Sequence, residues 1–332
     1  WDGCQVAISN TTPTYCAEYQ SYWTWPKVKE DTIDALHEIL DNFESDEWQL
    51  ALVYYEAIDA TGHAWGPETE ERVHAVRDLD DILFNLTTEI YARKMDKEVN
   101  VVLVSDHGMT TVDTEGNFTV LIDLENIINE DDVEMMLDRG STSFLYPKRG
   151  KEEKIYNTLK KAKVKGMHYY RKSDLPEHYH IKHHRRVSPI VLVADKGYFV
   201  RGFSSGGKTK PVWDVLYTGH HGYDPYEVDQ MRTIMYAVGP GLKKNYVNEP
   251  LMMTDHYNLI CHLLGIEAQP NNGSWLRVQN MLAKSSRTIK RSPIVQKSQA
   301  NLINNNNNAD KICKANQVMQ NNVLNLLKLF DY

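Results

Sequence analysis

No apolar run in the chain approaches the roughly 18 residues needed to span a bilayer as a helix, so no transmembrane segment is expected. Cysteine is scarce, with four in 332 residues, too few for a disulfide scaffold. Positive charge is also short: the formal net charge is −8, which argues against nucleic acid or any general polyanion as a partner. Internal repeats are absent. No signal peptide is visible, and the first residue is Trp1, not Met, which reads as a removed N-terminus or a fragment.

What is present suits a globular protein. At 42% hydrophobic residues the chain can bury a core and form one large domain or two. From Lys284 onward eight Lys and Arg face only Asp310 and Asp331, a local excess of six positive charges that leaves −14 on the rest. An acidic body can be an ordinary solvated surface, and it can equally supply carboxylate metal ligands. Beyond Lys284 aromatics vanish until Phe330 and "NLINNNNNADK" is low in complexity. The expected organisation is one domain over 1–283 and a disordered tail over 284–332. The tail's "VLNLLKLF" is too short for a lipid-anchor signal.

Cys4 and Cys16 flank a turn-containing loop, which suits a short disulfide. Four glycosylation sequons start at Asn10, Asn85, Asn117 and Asn272. Together they favour the secretory route, hence a secreted or extracellular membrane-associated protein. Cys261 and Cys313 have no evident partners.

"LALVYY" (50–55) and "VNVVLVS" (99–105) are apolar runs of strand length, as for strands buried on both faces of a parallel sheet. Between them Val73, Val76, Leu79, Leu83, Leu86 and Ile90 recur at three or four, the stripe of an amphipathic helix. Strand, helix, strand is the βαβ unit of an α/β domain. "TIMYAVGPGL" (233–242) is a later strand stopped by glycine and proline, and "DHYNLICHLLGI" (255–266) a helix ending at glycine. Residues 113–210 are mixed and read as an insertion or cap.

The chemistry-bearing residues fall after the two strands. "YYEAIDATGHAWGP" carries Asp59 and His63, and "VSDHGM" carries Asp106 and His107. Ligands of open α/β sheets bind at the carboxyl ends of strands. "GHHGYDP" adds His220 and His221. Carboxylate oxygen and imidazole nitrogen are zinc ligands, and a zinc ion takes about four, water or substrate included. One Asp-x-x-x-His pair is a weak signal and fits an ordinary turn; three such elements together favour a metal site. "HYHIKHHRR" (178–186) has four histidines but a run of basic neighbours and no carboxylate, so it reads as a solvated surface segment.

The order Asp59-x-x-x-His63, Asp106-His107-Gly108-Met109, His221-Gly222-Tyr223-Asp224, Asn271-Asn272-Gly273-Ser274 resembles the ectonucleotide pyrophosphatase/phosphodiesterase family of the alkaline phosphatase superfamily, from Trp1 to about Met281. "GCQVAISNTTPTYCAEY", "EAIDATGH", "SPIVLVADKGYF" and "PNNGSWLRVQNML" are similar to its choline-specific glycerophosphodiesterase branch, as is Ile58 where nucleotide-cleaving members usually have Pro. The resemblance implies an α/β, alkaline phosphatase-like sheet with helices on both faces and a small inserted cap, here lacking the first strand and the nucleophile helix. It also implies two zinc ions: Asp59, His63 and His221 on one, Asp106 and His107 on the other. The family's Ser or Thr nucleophile and a further Asp ligand belong upstream of Trp1, so no residue of this chain takes the nucleophile's role, one zinc site is retained and the second is depleted. Tyr54 matches a tyrosine beside the substrate pocket and fits a packed core tyrosine equally well; His220 has no assigned role.

The expected activity is release of phosphocholine from glycerophosphocholine or lysophospholipid-type substrates by two-metal phosphoryl transfer, the quaternary ammonium being held by aromatic faces. The alternatives are a non-catalytic relative that binds metal or a partner, and a nucleotide pyrophosphatase/phosphodiesterase. The sequence does not set the oligomeric state.

Overall fold

A computed structural model describes residues 6–7, 10–17, 25–112, 120–203 and 218–284. In chain order the main elements begin with helices α1 (Trp25–Glu44), α2 (Ala57–Trp65) and α3 (Glu70–Ala92). Strands β1 (Val101–Val104), β2 (Thr110–Thr111), β3 (Val120–Asp123), β4 (Val133–Leu137) and β5 (Thr142–Pro147) follow. Next come α4 (Glu152–Ala162), β6 (Met167–Arg171), β7 (Ile190–Ala194), β8 (Tyr198–Arg201), β9 (Gly219–His220) and β10 (Met235–Val238). The last two helices are α5 (Asp255–Leu263) and α6 (Trp275–Val278). The chain divides into two compact units. The first holds 1–57, 76–106 and 234–331; the second holds 58–75 and 107–233. Residues 285–332, the expected tail, lie outside the described residues.

In the first unit α1 runs parallel to the main part of α3. Lys29, His37 and Asp41 meet Asp78, Asn85 and Arg93, so partner numbers rise together. These are surface pairs worth little individually; burial holds the helices. Leu36 and Leu40 on α1, with Leu79, Ile82, Leu86 and Ile90 on α3, are all buried. The α3 stripe differs from the expected one: Val73 is 41% exposed and Ile82, not Leu83, is buried. At about 100° per residue, six residues put Val73 some 120° away from Leu79, off the buried stripe.

β1 pairs with β10 antiparallel, Val101 opposite Val238 and Val104 opposite Met235. This corrects the parallel pairing expected of an apolar run. The two strands are joined through the whole of 105–234, not one crossover helix, so topology does not force them to run the same way. Nor is this pair buried on both faces: Tyr236 and Val238 are 67% and 55% exposed. The other face packs Val102, Met235 and Ala237 against Leu242, Leu259, Val278 and Met281. The expected strand at 50–55 is reduced to a bridge at the buried Tyr55. An apolar run supplies burial, but a strand also needs a ladder partner along its length.

The "PNNGSWLR" segment is tied down by Asp255 at the start of α5. This carboxylate is fully buried, accepts the backbone N–H groups of Met252 (2.8 Å) and Ser274 (2.6 Å), and pairs with Arg277. Burial pushes its pKa up, but Arg277 and the two N–H groups outweigh that and hold it below the ordinary value. A Cβ on Gly273 would meet the Thr254 carbonyl at 2.3 Å, so this position requires glycine.

The second unit is built on a four-stranded antiparallel sheet, β4-β5-β7-β6. Every residue of β7 is buried. Its pleat sends Ile190, Leu192 and Ala194 to a core with Ile155 and Leu159 of α4, and Val191 and Val193 to a second core with Leu175, Tyr179 and Ile181. β3 and β8 pair in parallel, and β2 pairs with β9 antiparallel. The expected cap, 113–210, thus makes most of this unit.

Candidate metal centre

Asp59 and His63 lie within α2, not in a turn after a strand. Four residues apart on a helix, their side chains share one face. α2 stops at Gly66, whose N–H bonds the Gly62 carbonyl at 2.8 Å with φ +103°, a left-handed helix end followed by Pro67. Glycine inside a helix costs roughly 1 kcal/mol relative to alanine. At Gly62 the reason is contact: a Cβ there would sit 2.4 Å from the Met109 sulfur. Gly219 faces it, and a Cβ on Gly219 would meet the Gly62 carbonyl oxygen at 2.3 Å. Two glycines under Met109 therefore let α2 close directly on β9. Backbone bonds extend the joint: Thr218 N–H donates to the His63 carbonyl (2.9 Å) and Val112 N–H to the Thr218 carbonyl (2.7 Å).

This joint brings His221, the residue after β9, onto α2. His63 Nε2 lies 3.1 Å from His221 Nε2 and 3.2 Å from Asp59 Oδ1, and His221 Nε2 lies 3.6 Å from the same oxygen. A zinc ion bonded at about 2.0–2.1 Å to tetrahedral ligands sets them about 3.3 Å apart, so the three donors already have the spacing of a coordination face. They form the one group of three or more convergent His, Cys, Asp or Glu donors among the described residues. Asp59 Oδ1 is buried without a hydrogen bond of good geometry, and two imidazole lone pairs at 3.1 Å repel unless a proton or cation lies between them. The donor set fits zinc.

The surroundings fix each donor. His63 Nδ1 bonds the Gly219 carbonyl at 2.8 Å. A carbonyl only accepts, so Nδ1 carries the proton and Nε2 is left to ligate. Burial pushes the His63 pKa down, but the Asp59 carboxylate outweighs this and raises it. Burial likewise pushes Asp59 up, and His63, His221 and His107 more than reverse it. For His221, burial and the neighbouring His107 push the pKa down to about 3, so its ring is neutral. His107 stacks on His221 with ring centroids 3.4 Å apart and planes 10° off parallel. The turn after His107 is packed tightly: a Cβ on Gly108 would fall 1.8 Å from the Gln230 carbonyl oxygen.

The other expected residues fall less close. Asp106 and His107 are not in the convergent group; Asp106 is the last residue of its segment of the first unit. His220 packs its ring against Phe199 (4.8 Å) and His63 (5.7 Å), and burial lowers its pKa to about 4. Tyr54 is half-buried in the first unit, beside the buried Tyr55. Cys16 is disulfide-bonded; its expected partner Cys4, like Cys313 and Asn117, lies outside the described residues. Cys261 is a buried free thiol whose pKa burial pushes up. Asn10 and Asn272 are exposed. Asn85 is half-buried on α3, its side-chain oxygen 3.0 Å from His37 Nε2. Cavities of about 500 and 570 Å³ lie near 120–130, and no site residue lines either. Donor geometry, not cavity size, locates the centre.

Sequence reasoning missed the support of the His221 turn. Ser141 Oγ donates to the His221 carbonyl (2.8 Å) and Thr142 Oγ1 to the Gly222 carbonyl (3.2 Å). A serine and a threonine 80 residues upstream give no local signal for this. The glycine at 222 does, since it adopts φ +86°.

Residues 1–224 match the family model described as type I phosphodiesterase / nucleotide pyrophosphatase. Human ectonucleotide pyrophosphatase/phosphodiesterase family member 5 is 33% identical over 85% of this chain and 55% of its own length. Human family member 7 is 34% identical over 74% and 51%. Human bis(5'-adenosyl)-triphosphatase is 30% identical over 83% and 56%. The chain therefore spans about half the length of the curated relatives it matches. The solved structure of human ectonucleotide pyrophosphatase / phosphodiesterase 5 superposes with a TM-score of 0.73 at 32% identity, over 86% of this chain and 70% of that one. An inactive variant of the murine protein in complex with AMP superposes with a TM-score of 0.71 at 31% identity. The expected α/β, alkaline phosphatase-like fold is the fold found.

Proposed function

The chain belongs to the type I phosphodiesterase / nucleotide pyrophosphatase family, and from that membership we propose that it carries the metal-binding half of a zinc-dependent hydrolase acting on phosphodiester or pyrophosphate bonds of nucleotide-type substrates. The observation that carries the reading is the convergence of Asp59, His63 and His221. Bound there, zinc would supply Lewis-acid stabilisation of phosphoryl oxygens. The protein's part is to present one carboxylate oxygen and two imidazole nitrogens at fixed spacing. Gly219 sets the tautomer of His63, the Gly62–Gly219 contact sets the distance, and the His107 ring covers one face of His221. We assign no nucleophile among these residues. Asp106 and His107 remain our candidates for a second ion and Tyr54 for substrate contact. The sequons and the disulfide-bonded Cys16 support a secretory location; among the described residues no helix is long and apolar enough to cross a membrane.

The choice of nucleotide-type over choline-type substrate rests on the relatives. One is named as a bis(5'-adenosyl)-triphosphatase and a structural match holds AMP. The choline reading rests on four segment similarities and on Ile58; Ile58 is fully buried in α2, and a residue with no exposed surface is weak support for substrate choice. The experiment compares three substrates with protein expressed from the full reading frame: diadenosine triphosphate, the nitrophenyl ester of thymidine monophosphate, and nitrophenyl phosphocholine. Zinc-dependent hydrolysis of either nucleotide substrate at the higher kcat/KM supports the proposal. Preference for the choline ester overturns the substrate class. Zinc binding without hydrolysis of any of them reduces the reading to a metal-binding relative.

A further inference from the structure

The histidine-rich segment 176–186 joins β6 to β7 and has no place in the function described so far. It is not merely a solvated surface. Its short helical turn, Glu177–Tyr179, reaches the loop that carries His221. Tyr179 donates its hydroxyl to Asp224 Oδ2 at 3.0 Å, and His178 Nε2 lies 2.9 Å from the same oxygen. The other carboxylate oxygen of Asp224 accepts the Tyr226 N–H at 2.9 Å, and its carbonyl accepts Val228 N–H at 2.8 Å. Asp224 stands three residues after His221.

We propose that Asp224, gripped by Tyr179 and His178, is a positioning residue that sets where the His221 ligand stands. The inference rests on the metal-centre reading above and deepens it.

The segment is a firm anchor. Tyr179 and Ile181 pack on Leu175, Val191 and Val193, which puts the foot of the segment in the second core of the sheet. Its far end is tied by Lys172 Nζ to the His184 carbonyl (2.7 Å) and by the Tyr146 hydroxyl to the Arg186 carbonyl (2.6 Å). The loop it grips has little other freedom. Ser141 holds the His221 carbonyl, Gly222 is left-handed, and the buried Tyr223 donates its hydroxyl to the Tyr198 carbonyl at 3.0 Å. Each residue from 221 to 224 is thus fixed at one point, and Asp224 is the last before the chain leaves for 225–231. Burial would push the Asp224 pKa up, yet the Tyr226 N–H, His178 and Tyr179 hold it low, so it stays an ionised acceptor. Rotating it away would leave a largely buried carboxylate without donors. The loop therefore has one well-determined position, and His221 inherits it. Groups hydrogen-bonded to a ligand typically change metal affinity 10–100-fold when removed; Asp224 acts on His221 through the loop between them, which puts its effect at the low end of that range.

The test uses the 332-residue chain with Asp224→Ala, Tyr179→Phe and both together. Zinc affinity is read by competition with a chromophoric chelator, ligand geometry by the visible absorption of bound cobalt(II), and loop order by amide exchange of Tyr226 to Val228. Asp224→Ala is expected to lose about tenfold or more in zinc affinity and to alter the cobalt band. Tyr179→Phe is expected to do the same to a smaller extent, and to add nothing on top of Asp224→Ala. A folded Asp224→Ala variant with the parent's zinc affinity and cobalt spectrum overturns the inference. If that variant does not fold, Tyr179→Phe decides by the same criterion, since it removes one oxygen and keeps the packed ring. A parent chain that binds no zinc defeats the metal-centre reading instead. Amide exchange then decides the anchoring: unchanged exchange in Tyr179→Phe overturns it, and faster exchange sustains it.

Discussion

Replacing Gly219 by alanine tests how closely α2 must approach β9. The new Cβ would lie 2.3 Å from the Gly62 carbonyl oxygen and 2.6 Å from the Met109 sulfur. The Met109 side chain can swing away; the Gly62 carbonyl is part of a helix and cannot. Real Cβ contacts essentially never fall below 3.0 Å, so the joint must open by about 0.7 Å, in a packed interior that resists such shifts. His63 rides on α2 and His221 on the chain after β9, so their 3.1 Å nitrogen separation widens past the roughly 3.3 Å edge that zinc requires. The hydrogen bond from His63 Nδ1 to Gly219 is disturbed as well. Overpacking of this kind costs about 1–3 kcal/mol, and we expect zinc affinity to fall about tenfold or more. The assay pairs thermal unfolding with chelator competition. Leu159→Ala serves as the control: it empties a fully buried site in the same unit, costs about 2–5 kcal/mol, and should leave zinc affinity alone. Gly219→Ala protein that is folded and binds zinc as tightly as the parent would refute the argument that this contact sets the ligand spacing.

Zinc titration of the purified chain should approach one tight equivalent and raise the unfolding free energy by about 2.7 kcal/mol at a hundredfold excess over its dissociation constant; EDTA should reverse the gain and His221→Ala abolish it. Asp255→Asn should cost about 3 kcal/mol in urea unfolding at pH 7, because Arg277 and two backbone N–H groups lose their carboxylate. The folded carboxyl group titrates below its ordinary value, so its contribution is fully present above about pH 4 and is lost as pH falls further. The variant should therefore show a shallower loss of stability below pH 4, and an unchanged slope would remove Asp255 from the acid-sensitive groups.

The sequence was legible where burial has a period. β1, β10 and α5 stand where apolar runs and glycine stops placed them. It misled where a pattern has two solutions. A continuous apolar run fits a parallel strand, but the run at 99–105 forms β1, which pairs antiparallel with β10. The run at 50–55 has the composition of a strand without the ladder. Asp59 and His63 were placed just after a strand; they lie inside α2, where Gly62 makes contact with Met109 and does not reverse the chain. The three converging donors could be named from motif order. Ser141, Thr142 and Tyr179 could not, because their partners are brought to them by the fold and leave no spacing in the chain.

The buried thiol of Cys261 has a bearing on how the protein fails. Attack on a disulfide requires a thiolate. In the native fold the Cys261 sulfur is both enclosed and held protonated, so it coexists safely with the Cys16 bridge even where oxidants are abundant. Once α5 opens, the same sulfur meets solvent at its ordinary acidity and becomes a nucleophile in a chain that carries an exchangeable disulfide. Heating in oxidising surroundings then converts a reversible opening into scrambled covalent isomers. In oxidising surroundings the lifetime of the protein would then be set by how rarely α5 detaches, a rate, and not by the depth of the folded minimum.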